Sequence, residues 1–70
     1  MTPTNYSDSI DRETGEIIIN WFDGEQTCER RLQPLPAPYT IVWLPEESDW
    51  ALFPSVIPFG AIPFAAKFRD

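Results

Sequence analysis

Residues 16–32 read Glu16-Ile17-Ile18-Ile19-Asn20-Trp21-Phe22-Asp23-Gly24-Glu25-Gln26-Thr27-Cys28-Glu29-Arg30-Arg31-Leu32. The run Ile17 to Phe22 is dense in β-branched and aromatic side chains, which fit a pleated, half-buried surface. Asp23-Gly24 then supplies the dipeptide preferred at the centre of a two-residue type I′ hairpin, where both central residues need positive φ. A turn there sets the pairing. Phe22 opposes Glu25, Trp21 opposes Gln26, Ile19 opposes Cys28, and Glu16 opposes Arg31. One face collects Ile17, Ile19, Trp21, Cys28 and Leu32; the other collects Glu16, Ile18, Asn20, Thr27, Glu29 and Arg31. The first is a core face and the second is mostly polar, with Glu16 and Arg31 as a cross-strand ion pair.

Beyond the hairpin, proline stands at 34, 36 and 38. It fixes φ and removes three amide donors, so residues 33–38 read as a stiff polyproline-II strut. The two-residue spacing does not match a PxxP ligand. Tyr39 to Leu44 is a strand with apolar residues on both faces, which calls for a central or doubly covered position. Residues 45–49 admit either a hairpin loop or a short helix with Pro45 in its first turn. The hairpin is preferred because Trp50-Ala51-Leu52-Phe53 is itself strand-like.

The last third repeats itself: Ile57-Pro58-Phe59-Gly60-Ala61, then Ile62-Pro63-Phe64-Ala65-Ala66. Each Ile-Pro pair forces an extended residue before the proline, and the expectation is two corners presenting Phe59 and Phe64. Residues 63–69 can close as one or two helical turns, with Lys67 and Arg69 near the C-terminal end. At the other end, residues 1–10 show little periodicity and read as an arm, followed by a polar turn at 11–15. The expected fold is mainly β. It is a small single domain of two antiparallel hairpins, at 16–32 and 39–53, joined by the proline-rich strut. Residues 11–53 form the β core, and 54–70 form an extended Pro/Phe-rich docking segment that ends in a short helix.

The chain has 70 residues and a mass of 8.1 kDa, a size at which folding buries only roughly 60% of the unfolded surface. Its 43% hydrophobic and 14% aromatic content is nevertheless too high for ordinary disorder. There is no histidine and one cysteine, Cys28. No internal disulfide, thiolate zinc site or histidine base can be built from that set. Asp8, Asp11, Glu13 and Glu16 are spaced three, two and three apart, unlike the alternating ligands of a calcium loop. Glu46, Glu47 and Asp49 are near neighbours in sequence rather than carboxylates facing each other across a cleft. No glycine-rich phosphate loop is present. These absences argue against an enzyme and against any metal or cofactor.

The first residues lack the basic and apolar regions of a signal peptide. The apolar stretch 50–66 is broken by Pro54, Ser55, Pro58, Gly60 and Pro63, so no transmembrane helix is expected. The expected location is the cytoplasm of the producing cell, or a virion assembled there. Net charge is −6. Residues 1–50 carry ten acidic and three basic side chains, a net of −7, and residues 51–70 carry one acidic and two basic, a net of +1. An acidic front half disfavours nucleic acid and anionic bilayers as partners.

The aromatic residues exceed what one small core needs. Phe22, Trp43, Trp50, Phe53, Phe59, Phe64 and Phe68 are therefore the candidate partner-binding residues. The expected role is a non-enzymatic protein-binding module in a larger assembly, of the type of small phage accessory or virion structural proteins. The partner is another protein or a second copy of the chain. The alternative is an acidic inhibitor that blocks a basic nucleic-acid-binding surface, of the anti-CRISPR or anti-restriction type. Its acidic face would be Asp8, Asp11, Glu13, Glu16, Glu46, Glu47 and Asp49.

Overall fold

Among the described residues, six strands make up the regular structure: β1 (Thr4–Ile10), β2 (Ile17–Phe22), β3 (Thr27–Leu32), β4 (Tyr39–Leu44), β5 (Asp49–Phe53) and β6 (Ile62–Lys67). They are seen in a computed structural model that describes residues 2–54 and 56–68. The strands form two three-stranded antiparallel sheets, ordered β1-β2-β3 and β5-β4-β6. The chain divides correspondingly into two compact units, Met1–Pro34 and Leu35–Asp70. The mainly β expectation holds, and both hairpins form.

In the first unit, the β2–β3 register differs from the expected one by two residues. Phe22 pairs with Thr27, Trp21 with Cys28, Ile19 with Arg30 and Ile17 with Leu32. The reason lies in Asp23. Its Oδ1 accepts the amides of Glu25 at 2.8 Å and Gln26 at 2.9 Å, and its own amide donates to the Gln26 carbonyl at 3.1 Å. That Asx-type arrangement holds Asp23 at the first corner of the turn instead of its centre. Gly24 becomes the first central residue, with φ +104, and no positive φ is required of Glu25, the pattern of a type II′ connection. Because strand periodicity is two, a two-residue shift leaves every side chain on its expected face. Ile17 and Ile19 are buried, and Ile18 and Asn20 on the other face are half-buried.

Residues 1–10, expected as an arm, instead contain strand β1. It pairs along β2 from Ile10 opposite Ile17 to Thr4 opposite Phe22, with a bulge between Thr4 and Ser7. The bulge holds Asn5 at φ +54, and asparagine is among the few residues other than glycine that enter this region readily. The sequence signal was weak because β1 is an edge strand with mostly exposed polar side chains. Its pairing satisfies the second edge of β2 rather than burying an apolar face.

In the second unit β4 is central. Ile41, Val42 and Trp43 are consecutive and all buried. Neighbouring strand residues point to opposite faces, so both faces of the sheet are covered at this point. The turn after β4 settles the loop-or-helix alternative in favour of the hairpin. Glu47 donates to the Leu44 carbonyl at 3.2 Å and Ser48 to the Pro45 carbonyl at 3.3 Å. Pro45 supplies the preset φ of the second turn position, Ser48 closes the loop at φ +50, and Asp49 already pairs with Leu44.

The short helix expected at 63–69 is absent over its described part; Ile62–Lys67 is strand β6, and Arg69 lies outside the described residues. Pro63 sits in β6 because that strand is an edge and is bulged, with Val42 opposite Pro63 but Ile41 opposite Ala65. Edges and bulges are where a strand tolerates the missing amide of proline. Residues 33–36 carry no ladder, 37 and 38 bend, and the Ala37–Pro38 peptide is cis; the segment joins β3 to β4 without regular structure of its own.

Ile41 is fully buried on the central strand, so Ile41→Ala should cost about 2–5 kcal/mol of stability. Urea unfolding of variant and wild type measures this; a loss below about 1 kcal/mol would show that β4 is not a packed core strand.

Candidate functional site

Strand β5 ends with Phe53 beside β4, whereas β6 begins with Ile62 on the opposite side of β4. Residues 54–61 must therefore carry the chain from one edge of the sheet to the other. This crossing ends in a tight turn. Ala61 donates to the Pro58 carbonyl at 3.1 Å, and Gly60 has φ +91. Positive φ at the third turn position is the requirement of a type II turn and selects glycine. A Cβ on Gly60 would meet nothing within 4 Å, so the demand is conformational, not steric. Phe59 occupies the second position, at the tip, and is fully exposed at 106%.

The crossing segment and the β4–β5 turn enclose an open cavity of about 320 Å³. Leu44 and Pro45 on one side, and Pro58, Gly60 and Ala61 on the other, provide apolar walls. Phe53 contributes a half-buried aromatic wall, and Phe59, also on the lining, is fully exposed. Among the described residues, the charged lining is Glu46 and Glu47. Sequence reading did not assign Leu44, Pro45, Pro58, Gly60 or Ala61 to a site. The available signal was the pairing of two turn formers, Pro45 and Gly60, with an aromatic residue immediately before the glycine.

The seven candidate partner-binding residues do not form one patch. Trp43 and Trp50 are buried and face each other across the β4–β5 ladder, with ring centroids 5.2 Å apart at 63°. Phe64 packs edge-on against Trp50, at 4.9 Å and 72°. These three rings form the aromatic centre of their own sheet, with edge-to-face geometry that contributes about 0.5–1.5 kcal/mol per pair beyond burial. Phe22 is half-buried in the first unit. Phe53 is half-buried at the cavity. Phe59 and Phe68 are exposed, as is Val56.

The seven acidic residues divide between the two units. Asp11 and Glu16 converge on Arg31, whose Nη1 donates to Asp11 Oδ2 at 3.0 Å and Glu16 Oε1 at 3.2 Å. Glu29 approaches the Arg31 Nε at 3.5 Å. The expected Glu16–Arg31 pair thus exists, on a diagonal, since Arg31 stands opposite Ile18. Asp8 accepts the Tyr6 hydroxyl at 2.6 Å, and Glu13 is exposed with its amide bonded to Asp11. Glu46 and Glu47 belong to the β4–β5 turn and line the cavity, whereas Asp49 opens β5 opposite Leu44. Among the described residues, no group of three or more Asp, Glu, Cys or His side chains is placed to hold a metal ion.

The ionisation of these groups follows from their neighbours. The Arg31 guanidinium, together with the Glu13 and Thr14 amides, holds the Asp11 carboxyl below the usual carboxylate range. The Gln26 and Glu25 amides do the same for Asp23. Desolvation, followed by the hydrogen bond from its Sγ to Asp23 at 3.4 Å, pushes the Cys28 thiol up. A thiol held protonated is a poor nucleophile. Among the described residues no helix is long and apolar enough to cross a membrane. No family model matches this chain, and no curated protein or solved structure matches it.

A carboxylate with a depressed folded-state pKa stabilises the fold above its unfolded pKa, and that stability disappears as pH falls through the folded value. Wild-type stability should therefore drop below about pH 4. In Asp11→Asn/Asp23→Asn the amide oxygens can still accept the loop amides, but the charge is gone. Thermal melts across the acid range should show a shallower acid loss for the variant; equal slopes would contradict the assignment.

Proposed function

We propose that this chain is a non-enzymatic protein-binding module that docks on its partner through the turn carrying Phe59. The observation that supports this best is the fully exposed ring of Phe59, held at the tip of a hydrogen-bonded turn beside an apolar cavity. An aromatic side chain preset in this way loses little conformational freedom when it docks, because Pro58 and the turn already restrict the backbone. Exposed apolar surface of this kind suits an interface core once a partner covers it. Val56 and Phe68 supply further exposed apolar area in the same half of the sequence.

By type, the module belongs with small accessory or virion structural proteins of phage, resident in the cytoplasm of the producing cell or built into a virion. The acidic-inhibitor reading draws less support. Three of the carboxylates in the first unit are committed to Arg31 and one to Tyr6, which leaves fewer free charges to imitate a phosphate array.

Capture from extract of the native producing cells, with immobilised wild type and Phe59→Ala/Phe68→Ala compared side by side, tests the proposal. The wild type should retain a specific partner at about 0.5 M salt, where screening has removed most surface electrostatics. The double variant should lose it. The same partner held equally well by the double variant would overturn the docking reading, and loss of the partner by wild type at high salt would favour the acidic inhibitor.

A further inference from the structure

We infer that the cavity between the β4–β5 turn and the Pro58–Ala61 turn receives a lysine or arginine side chain from the partner protein. The inference deepens the protein-binding reading and rests on it. Three observations converge. First, the cavity volume of about 320 Å³ is at the small end of ligand sites, which span about 300–1,000 Å³; it suits a single long side chain better than a folded element. Second, the walls are apolar and aromatic, from Leu44, Pro45, Phe53 and Phe59 among others. Third, among the described residues every charged one on the lining is acidic.

An aliphatic side chain would satisfy the second condition but gain nothing from the exposed acidic residues Glu46 and Glu47 on the lining. A carboxylate side chain would be repelled. A lysine or arginine meets all three at once. Its methylene stem lies along the apolar walls while its charged head reaches the carboxylates at the rim, as long basic side chains commonly do on mixed surfaces. Phe53 and Phe59 are aromatic residues of the lining, and an aromatic ring adds an attraction for a cation that a neutral side chain lacks. The net charge of −6 further draws a basic segment toward the chain during encounter.

The test is a titration of isotope-labelled protein, followed by amide chemical shifts, with four blocked tripeptides: Ala-Lys-Ala, Ala-Arg-Ala, Ala-norleucine-Ala and Ala-Glu-Ala. The lysine and arginine peptides should shift the amides of Glu46, Glu47 and residues 59–61 saturably, and bind about fivefold or more tightly than norleucine. The glutamate peptide should shift none of them. In Glu46→Gln/Glu47→Gln the basic advantage should shrink to within about twofold, with norleucine unchanged. Both substitutions are at exposed turn positions, and the dispersion of the same spectra verifies folding. Norleucine binding as tightly as lysine would overturn the basic occupant while leaving apolar docking through Phe59 intact. Failure of all four peptides would overturn the cavity as a side-chain site. The capture experiment with Phe59→Ala/Phe68→Ala separately decides whether the chain docks at all.

Discussion

Strand β4 carries the second half of this protein. Its consecutive residues Ile41, Val42 and Trp43 are buried together, which calls for cover on both faces of the strand, and β4 is also paired along both edges. Everything else in the unit is placed by that demand. One edge of β4 takes β5 through the tight Pro45 turn, which lets Trp50 stand against Trp43. The other edge must be supplied from further along the chain, and β6 supplies it after residues 54–61 have crossed the sheet. The rings of Trp50 and Phe64, on the two flanking strands, meet edge-on with β4 between those strands. The exposed Phe59 is thus a consequence of the connection β4 requires. A crossing of eight residues, 54–61, that ends by reversing direction at Pro58–Ala61 leaves its turn tip in solvent.

The internal repeat shows how small a sequence difference separates a packed, half-buried ring from an exposed one. Ile57-Pro58-Phe59 and Ile62-Pro63-Phe64 are the same tripeptide. In the first copy the next residue is Gly60, which enters positive φ and closes a turn, so Phe59 points to solvent. In the second the next residue is Ala65, which stays in the ladder opposite Ile41, and the bulge around Phe64 directs its ring onto Trp50. Side-chain type alone made both phenylalanines candidates for a partner. The conformational requirement of one glycine separates them.

Much of the architecture was legible for the same local reasons. Alternation and β-branched residues marked β2, the doubly apolar pattern marked β4 as central, and turn residues marked both hairpins. The faces of the first hairpin were readable even though its register was not, since Asp23 prefers to accept amides from the turn rather than sit at its centre. Strands β1 and β6 were not legible. The first is polar and recruited by the free edge of β2; the second contains a proline and a bulge, both of which obscure a period of two. Of the site, Phe53 and Phe59 were visible as surplus aromatics and Glu46 and Glu47 as acids. Their meeting around one cavity depends on a chain crossing that no local pattern encodes.

The proposed docking through Phe59 requires that the sheet beneath the turn be rigid, because a mobile base would forfeit the entropic advantage of a preset aromatic anchor. Residue-resolved amide hydrogen exchange measures that contrast directly. Ile41, Val42 and Trp43 should exchange among the slowest amides of residues 35–70, and Phe59 and Gly60 among the fastest. Amides of β4 that exchange as quickly as the turn tip would contradict a fold built on β4 and, with it, a rigid platform for Phe59.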